Sequence, residues 1–195
     1  GAGTTEVAAF QDGCIADYNI IPIGGDFITS DIAIGLRIPF SQAEEIKRKY
    51  ACARGSLASD KPDIEIQCIG ENTPKKISQR DLSDIVEPRV LEILSLISNG
   101  IKNFDSKIAM PAGIVLTGGG LIHIRGSVET AQQLFGLPTR LGVTDSYDRE
   151  QTFTVALGLL NYSMRHKNYD TGITTKEKPT IGLLERVKRI ISEYF

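Results

Sequence analysis

The chain has 195 residues, with 22 basic and 24 acidic side chains and a formal net charge of −2, enough length for one sizeable domain or two small lobes. That balance leaves no global electrostatic case for nucleic acid, whose binding depends on neutralising phosphates. Three cysteines without a Cys-x-x-Cys pair, beside only two histidines, argue against a disulfide framework and against a zinc site. Cys14, Cys52 and Cys68 read instead as buried or half-buried thiols of a reducing cytoplasm. No apolar run approaches the ~20 residues that cross a bilayer, and no signal-peptide pattern opens the chain.

Thr5 to Phe10 and Cys14 to Ile23 are apolar, β-branched runs separated by Gln11-Asp12-Gly13, and Asp-Gly between two such runs predicts a β-hairpin. Phe27, Ile28, Ile32 and Leu36 then recur at helical spacing until Pro39 stops the helix. Ser41 with Glu44 three residues on is a capping-box pattern, which predicts a second helix to about Ala53. Asp63 to Ile69 alternates, Gly70 to Pro74 turns the chain and Lys76-Ile77 returns, so a second, small hairpin is expected. Ser78 and Asp81 repeat the N-cap signature ahead of a long helical stretch carrying Leu82, Ile85, Val86, Val90, Leu91, Leu94, Ile97 and Ile101. Pro88 inside that stretch predicts a kink or a break into two helices.

Gly113 to Leu116 reads as a short buried strand leading into Leu-Thr-Gly-Gly-Gly. A helix over Ser127 to Phe135, a strand over Thr139 to Val143 and a helix over Gln151 to Tyr162 follow. Residues 163–180 turn polar and aperiodic, the pattern of a flexible linker. Periodicity returns over residues 181–195, where Leu183, Leu184, Val187, Ile190, Ile191, Tyr194 and Phe195 share one face and Arg186, Lys188 and Arg189 lie on the other. A helix of this kind lies in a membrane interface with its apolar side buried.

Two glycine clusters carry the functional reading. Gly-Ala-Gly-Thr-Thr-Glu opens the chain and Leu116 to Gly120 stands far downstream, each beside a short β-type run. Glycine lets backbone N–H groups approach an anion closely, and a strand followed by such a turn cradles phosphate. Together the clusters read as half of a nucleotide cleft. His123, a lone histidine next to the second cluster, reads as structural, and no Ser/His/Asp or Cys/His constellation accompanies it.

These clusters stand with the run Ile20 to Arg37, which contains Gly24-Gly25-Asp26, and with Ala43 to Tyr50. In this order they resemble the C-terminal half of the FtsA family of bacterial cell-division proteins, members of the actin and heat-shock-chaperone ATPase superfamily. The likeness runs from Gly1 to about Tyr162 and resumes near the C-terminal end. It implies an α/β, actin-like (ribonuclease H-like) lobe. In it a subdomain IIA sheet with helices, residues 1–40 and 112–162, carries a smaller inserted α/β subdomain IIB, residues 41–111. It also implies that the chain is a fragment, with the metal-organising Asp of the phosphate motif lying ahead of Gly1.

By the same resemblance Gly1, Ala2, Gly3 and Thr4 wrap the β and γ phosphates, and Gly118, Gly119 and Gly120 pack against purine and ribose. Glu44, Lys47 and Arg48 match a Glu-x-x-Lys-Arg pattern that takes ribose and adenine; a carboxylate suits ribose hydroxyls, and a Lys or Arg stem can flank a base. These residues also have an ordinary reading, Glu44 as the capping-box partner of Ser41 and Lys47 to Lys49 as a solvated charge run.

The function implied is that of an adaptor that binds ATP with Mg, hydrolyses it slowly at most, and tethers filaments of the tubulin-like FtsZ to the cytoplasmic face of the membrane at the division site. Residues 1–195 alone are expected to be inactive and to hold no cofactor. Implied partners are the FtsZ C-terminal peptide, with Arg89 beside Val90, Leu91 and Leu94 as the candidate contact, further copies in an actin-like filament, and the membrane through Leu183, Leu184, Val187, Ile190, Ile191 and Phe195. A paralogue serving pilus assembly or a microcompartment, or an ATPase lobe of the chaperone or sugar-kinase type, is the alternative; the terminal amphipathic helix favours the division protein.

Overall fold

The computed structural model describes residues 1–105, 108–142 and 153–165. The chain divides into two units, Gly1–Leu157 and Gly158–Phe195. Of the second, only the C-terminal part of a helix is described. The expected helix over 181–195, with all its proposed membrane contacts, and most of the expected linker lie outside the described residues.

The first hairpin forms as the Asp-Gly signal predicts. Strand β1, Thr5–Gln11, pairs antiparallel with β2, Cys14–Ile21, and Gln11 stands opposite Cys14. Asp12 and Gly13 both adopt left-handed φ, 53° and 80°, the pair of angles a type I′ turn needs to match strand twist. Val7 and Ile21 face the core, whereas Phe10, Tyr18 and Ile20 are exposed.

Helix α1, Gly25–Leu36, buries Ile28, Thr29 and Ile32 and packs on both α2 and α3. It ends at Arg37 in the left-handed region (φ 54°), where the Ile38 N–H donates to the Ala33 carbonyl at 3.0 Å. Helix α2, Phe40–Tyr50, is capped by Pro39 and has no side-chain cap bond. The capping box expected at Ser41 therefore does not form: the N-cap lies two residues earlier, at Pro39, leaving Ser41 inside the first turn, and the Glu44 carboxylate is drawn to other donors. The helix also ends before Ala53, at Tyr50. Ala43, Ile46 and Lys47 are its buried residues.

After a 3₁₀ turn at Gly55–Leu57, β3, Ile64–Ile66, pairs antiparallel with β4, Lys75–Ile77. The capping box at Ser78 is real. Its hydroxyl accepts from the Asp81 N–H at 3.1 Å, and Asp81 Oδ2 takes the Ser78 N–H at 2.8 Å. The Ser78 hydroxyl also donates to Asp81 Oδ2 at 2.7 Å, and this bond, followed by that from the Ser78 N–H, holds the Asp81 carboxyl below its ordinary range.

Helix α3 then runs unbroken over Gln79–Lys102 with Pro88 inside it. Proline removes one helical N–H and costs about 3 kcal/mol in a helix interior. Against that, Leu82, Val86, Val90, Ile93, Leu94 and Ile97 form a single stripe at 0–4% exposure that continues past the proline. Each such side chain gains about 1.5–3 kcal/mol on burial, so packing outweighs the break.

Strand β5, Ile114–Leu116, is followed by α4, Ser127–Phe135, and by β6, Thr139–Leu141, which pairs parallel with β5. At the start of β5 only glycine fits. Gly113 has φ 73°, and a Cβ there would lie 2.1 Å from the Pro138 carbonyl oxygen. Helix α5 covers Thr154–Arg165. Ser163, Met164 and Arg165, expected in the linker, continue that helix, in keeping with the good helix propensity of Met and Arg. The far end of the expected strand, Val143, and the expected start of α5, Gln151, lie outside the described residues.

Candidate functional site

Three glycine segments distant in sequence meet at the N-terminal end of α1. The Gly25 and Asp26 N–H groups donate to the carbonyls of Gly1 and Ala2 at 3.0 and 2.9 Å, so backbone rather than a side chain satisfies the first helical donors. A Cβ on Gly24 would sit 2.4 Å from the Ala2 oxygen, and one on Gly25 would sit 3.1 Å from the Gly120 Cα. On Gly120 it would approach the Gly1 oxygen at 3.0 Å. The approach at Gly24 leaves no room for a side chain, and those at Gly25 and Gly120 are tighter than ordinary contacts of a Cβ. With the carbonyls of Gly1 and Ala2 so engaged, the N–H groups of Ala2 and Gly3 have no partner among the described residues, as an anion cradle requires.

Directly behind this junction lies a charged cluster built by α1 and α2. The Lys47 ammonium, on a side chain only 5% exposed, bonds Glu44 Oε2 at 2.6 Å, Thr29 Oγ1 at 2.8 Å and the Gly25 carbonyl at 3.1 Å. Its three protons are thereby matched by three acceptors. The Thr29 hydroxyl also reaches Glu44 Oε2, at 2.6 Å. Burial would raise the Glu44 carboxyl, but hydrogen bonds from Lys47 and Thr29, with the charges of Lys47 and Arg48, bring it below its ordinary value. Glu44 Oε1 has no partner among the described residues, and the side chain is 38% exposed.

The arm following the second glycine cluster is tied to the same framework. The Arg125 N–H donates to the Ala51 carbonyl at 3.1 Å, and the Ala53 N–H donates to the Arg125 carbonyl at 2.8 Å. Arg125, five residues after Gly120, is thereby joined to the segment that follows α2, and Gly118 in the turn before it has φ 87°. A cleft of about 680 Å³ opens beside it, lined by Gly1, Gly24, Gly25 and Gly120, by consecutive residues of β1 and β5, and by Ile93, Ile97, Ile101 and Phe104.

The structure thus gathers Gly1, Ala2 and Gly120 at one point, with Glu44 and Lys47 immediately behind. Gly3, Thr4 and Arg48 are exposed; the Thr4 hydroxyl donates to Glu6 Oε1 at 2.6 Å. Lys47 to Lys49 is not a uniform solvated run: Lys47 is buried, while its two neighbours are exposed. His123 is half-buried. Gly24, Gly25 and Thr29 complete the site and were not singled out from the sequence as site residues. For the glycines the available signal was the Gly-Gly-Asp triplet itself; for Thr29 there was none, because its role arises from a neighbouring helix.

Arg89 lies elsewhere, between α3 and α1. It grips Asp31 in a bidentate pair, Nε to Oδ2 at 2.6 Å and Nη2 to Oδ1 at 3.0 Å, and also bonds Glu92. The Phe27 ring lies 6.0 Å from its guanidinium. The hydrogen bond to Asp31 is the main reason its pKa is raised. Its charge is therefore already balanced within the lobe, and a partner at this position has to share it.

The described chemistry suits a ligand with phosphates at one end and hydroxyls at the other. Backbone donors stand at the glycine junction, and a fixed, ionised carboxylate with one open oxygen stands behind it.

Residues 1–158 match the family model described as cell division protein FtsA. The cell division protein FtsA of Pseudomonas aeruginosa is 36% identical over 207 residues, covering 100% of this chain and 49% of that protein. That of Escherichia coli K12 is 32% identical over 197 residues, covering 93% and 46%. The chain thus spans about half the length of the curated relatives it matches. Among solved structures, MreB5 of Spiroplasma citri bound to ADP superposes with a TM-score of 0.66 at 22% identity, covering 84% of this chain and 51% of that one. The MamK double helical filament gives 0.57 at 17% identity, covering 83% and 52%. The fold is therefore an α/β, actin-like one.

Proposed function

This chain belongs to the FtsA family of cell division proteins, and on that premise we propose that it is the nucleotide-facing lobe of an ATP-binding adaptor that tethers FtsZ filaments to the cytoplasmic membrane. One observation supports the nucleotide reading above the rest: three glycine segments converge where a Cβ on Gly24, Gly25 or Gly120 would meet backbone within 3.1 Å, with the Glu44 carboxylate set behind them by Lys47. In this reading the N–H groups of Ala2 and Gly3 hold the phosphates, Gly118 to Gly120 face the base and sugar, and Glu44 accepts from the ribose. Arg48, exposed beside Glu44, flanks the adenine. Mg accompanies ATP in the complete protein and would neutralise phosphate charge there.

Binding of the FtsZ C-terminal peptide through Arg89, and attachment to the membrane through residues 181–195, belong to the same proposal and rest on the sequence. Self-association into filaments draws support from the likeness of this fold to MamK, whose structure is that of a double helical filament.

Preorganised electrostatics require the whole cradle. The full-length protein should therefore bind ATP by calorimetry, and residues 1–195 alone should bind it at least tenfold more weakly. A full-length protein with no measurable ATP binding would remove the nucleotide reading.

A further inference from the structure

We propose that Thr29 is a positioning residue that sets selectivity for a ribose: it clamps one oxygen of Glu44 and leaves the other as the acceptor for the sugar hydroxyls. The inference rests on the nucleotide reading above.

Thr29 is fully buried in the first turns of α1, 0% exposed. A threonine inside a helix ordinarily returns its hydroxyl to the carbonyl four residues back, here Gly25 at 3.1 Å. Glu44 Oε2 is nearer, at 2.6 Å, and charged. A hydroxyl has one proton, and the shorter, charge-assisted bond takes it. The Gly25 carbonyl is not orphaned by this choice, because Lys47 donates to it. Thr29 in turn accepts from Lys47 at 2.8 Å.

Glu44 Oε2 consequently receives two hydrogen bonds, one from a hydroxyl held by the helix and one from a buried ammonium. Two donors from different elements fix both the position and the plane of the carboxylate. Oε1 is left with no partner among the described residues, on a side chain 38% exposed. A neighbouring pair of sugar hydroxyls is a donor set that matches it. Because the carboxylate is ordered before the ligand arrives, less freedom is lost on binding. Lys47 alone supplies a single donor to Oε2, and one bond leaves the carboxylate free to turn about it.

The test uses the full-length protein, with calorimetric titration of ATP and of 2′,3′-dideoxy-ATP. The wild type should prefer ATP about tenfold or more, the scale of a hydrogen bond to a charged group. Thr29→Val should bring that ratio to within about twofold by weakening ATP while leaving the dideoxy nucleotide unchanged, and Thr29→Ser, which restores the hydroxyl, should recover the preference. If Thr29→Val does not fold, Thr29→Ala is measured in its place. A variant without the hydroxyl that keeps the wild-type ratio overturns the role of Thr29 and leaves the nucleotide reading intact, whereas a wild type that binds both nucleotides equally overturns that role together with the ribose role of Glu44 and leaves the phosphate cradle standing. Absence of any ATP binding by the wild type overturns both.

Discussion

Replacing Lys47 by methionine isolates the contribution of the buried cluster behind the glycine junction. Methionine keeps a long, flexible stem in the space between α1 and α2 and removes the ammonium with its three bonds, to Glu44, Thr29 and the Gly25 carbonyl. Breaking a fully buried ion pair costs about 3–5 kcal/mol, but Glu44 is 38% exposed and can turn to water, so its share is closer to the ~1 kcal/mol of a surface pair. The Gly25 carbonyl keeps the helical N–H of Thr29 and loses only its second donor, and the Thr29 hydroxyl keeps its bond to Glu44 and loses only the one it accepts. Each of these two lost bonds costs about 0.5–1.5 kcal/mol. The sum is about 2–4 kcal/mol, or a fall of roughly 4–16 °C in melting temperature for a lobe of this size.

The pH dependence has a definite sign. Glu44 is held below its ordinary value in the folded state, so as pH falls the unfolded chain takes up the proton first. Its contribution is therefore full above about pH 4.3 and is lost as pH falls through the lower folded value. Urea unfolding of wild type and Lys47→Met should show the full gap at pH 7 and a narrower one below pH 4. A gap under 0.5 kcal/mol at pH 7 would refute the account of the cluster.

Gly24→Ala should destabilise the chain by about 1–3 kcal/mol despite an extended backbone that any residue can adopt, because the added Cβ meets the Ala2 oxygen at 2.4 Å; a melting temperature unchanged within a degree would show that the junction yields freely. Thiol titration under native conditions should modify Cys14 quickly, since it is exposed. Cys52 and Cys68 should react only on unfolding, Cys52 being raised by burial although Arg125 pulls the other way; a fast second equivalent would contradict that burial. The intact chain should co-sediment with anionic vesicles, and the Leu184→Glu, Ile191→Glu double variant should stay in the supernatant; equal behaviour of the two would remove residues 181–195 as an anchor.

The local elements were legible because their determinants are local. Asp12-Gly13 sets its hairpin through two positive φ angles, and Ser78 with Asp81 starts α3 through bonds that close within four residues. The glycine clusters and the Glu-x-x-Lys spacing were legible as residue types, and the FtsA likeness as their order along the chain.

Three outcomes were not local. Ser41 and Glu44 form the same pattern as Ser78 and Asp81, yet Glu44 bonds Lys47 and Thr29 instead, since a buried ammonium is a stronger competitor for a carboxylate than an exposed N–H. Pro88 leaves α3 whole because the apolar stripe on both sides of it packs on elements far away in sequence. Arg89, expected as a contact for a partner peptide, is paired with Asp31, 58 positions earlier. The sequence by itself determined the Asp12-Gly13 turn, the start of α3 at Ser78 and the order of segments shared with the FtsA family. Which donor meets which acceptor was decided only when α1, α2 and α3 packed, because burial removes water as the competing partner and leaves each polar group to the nearest one the fold supplies.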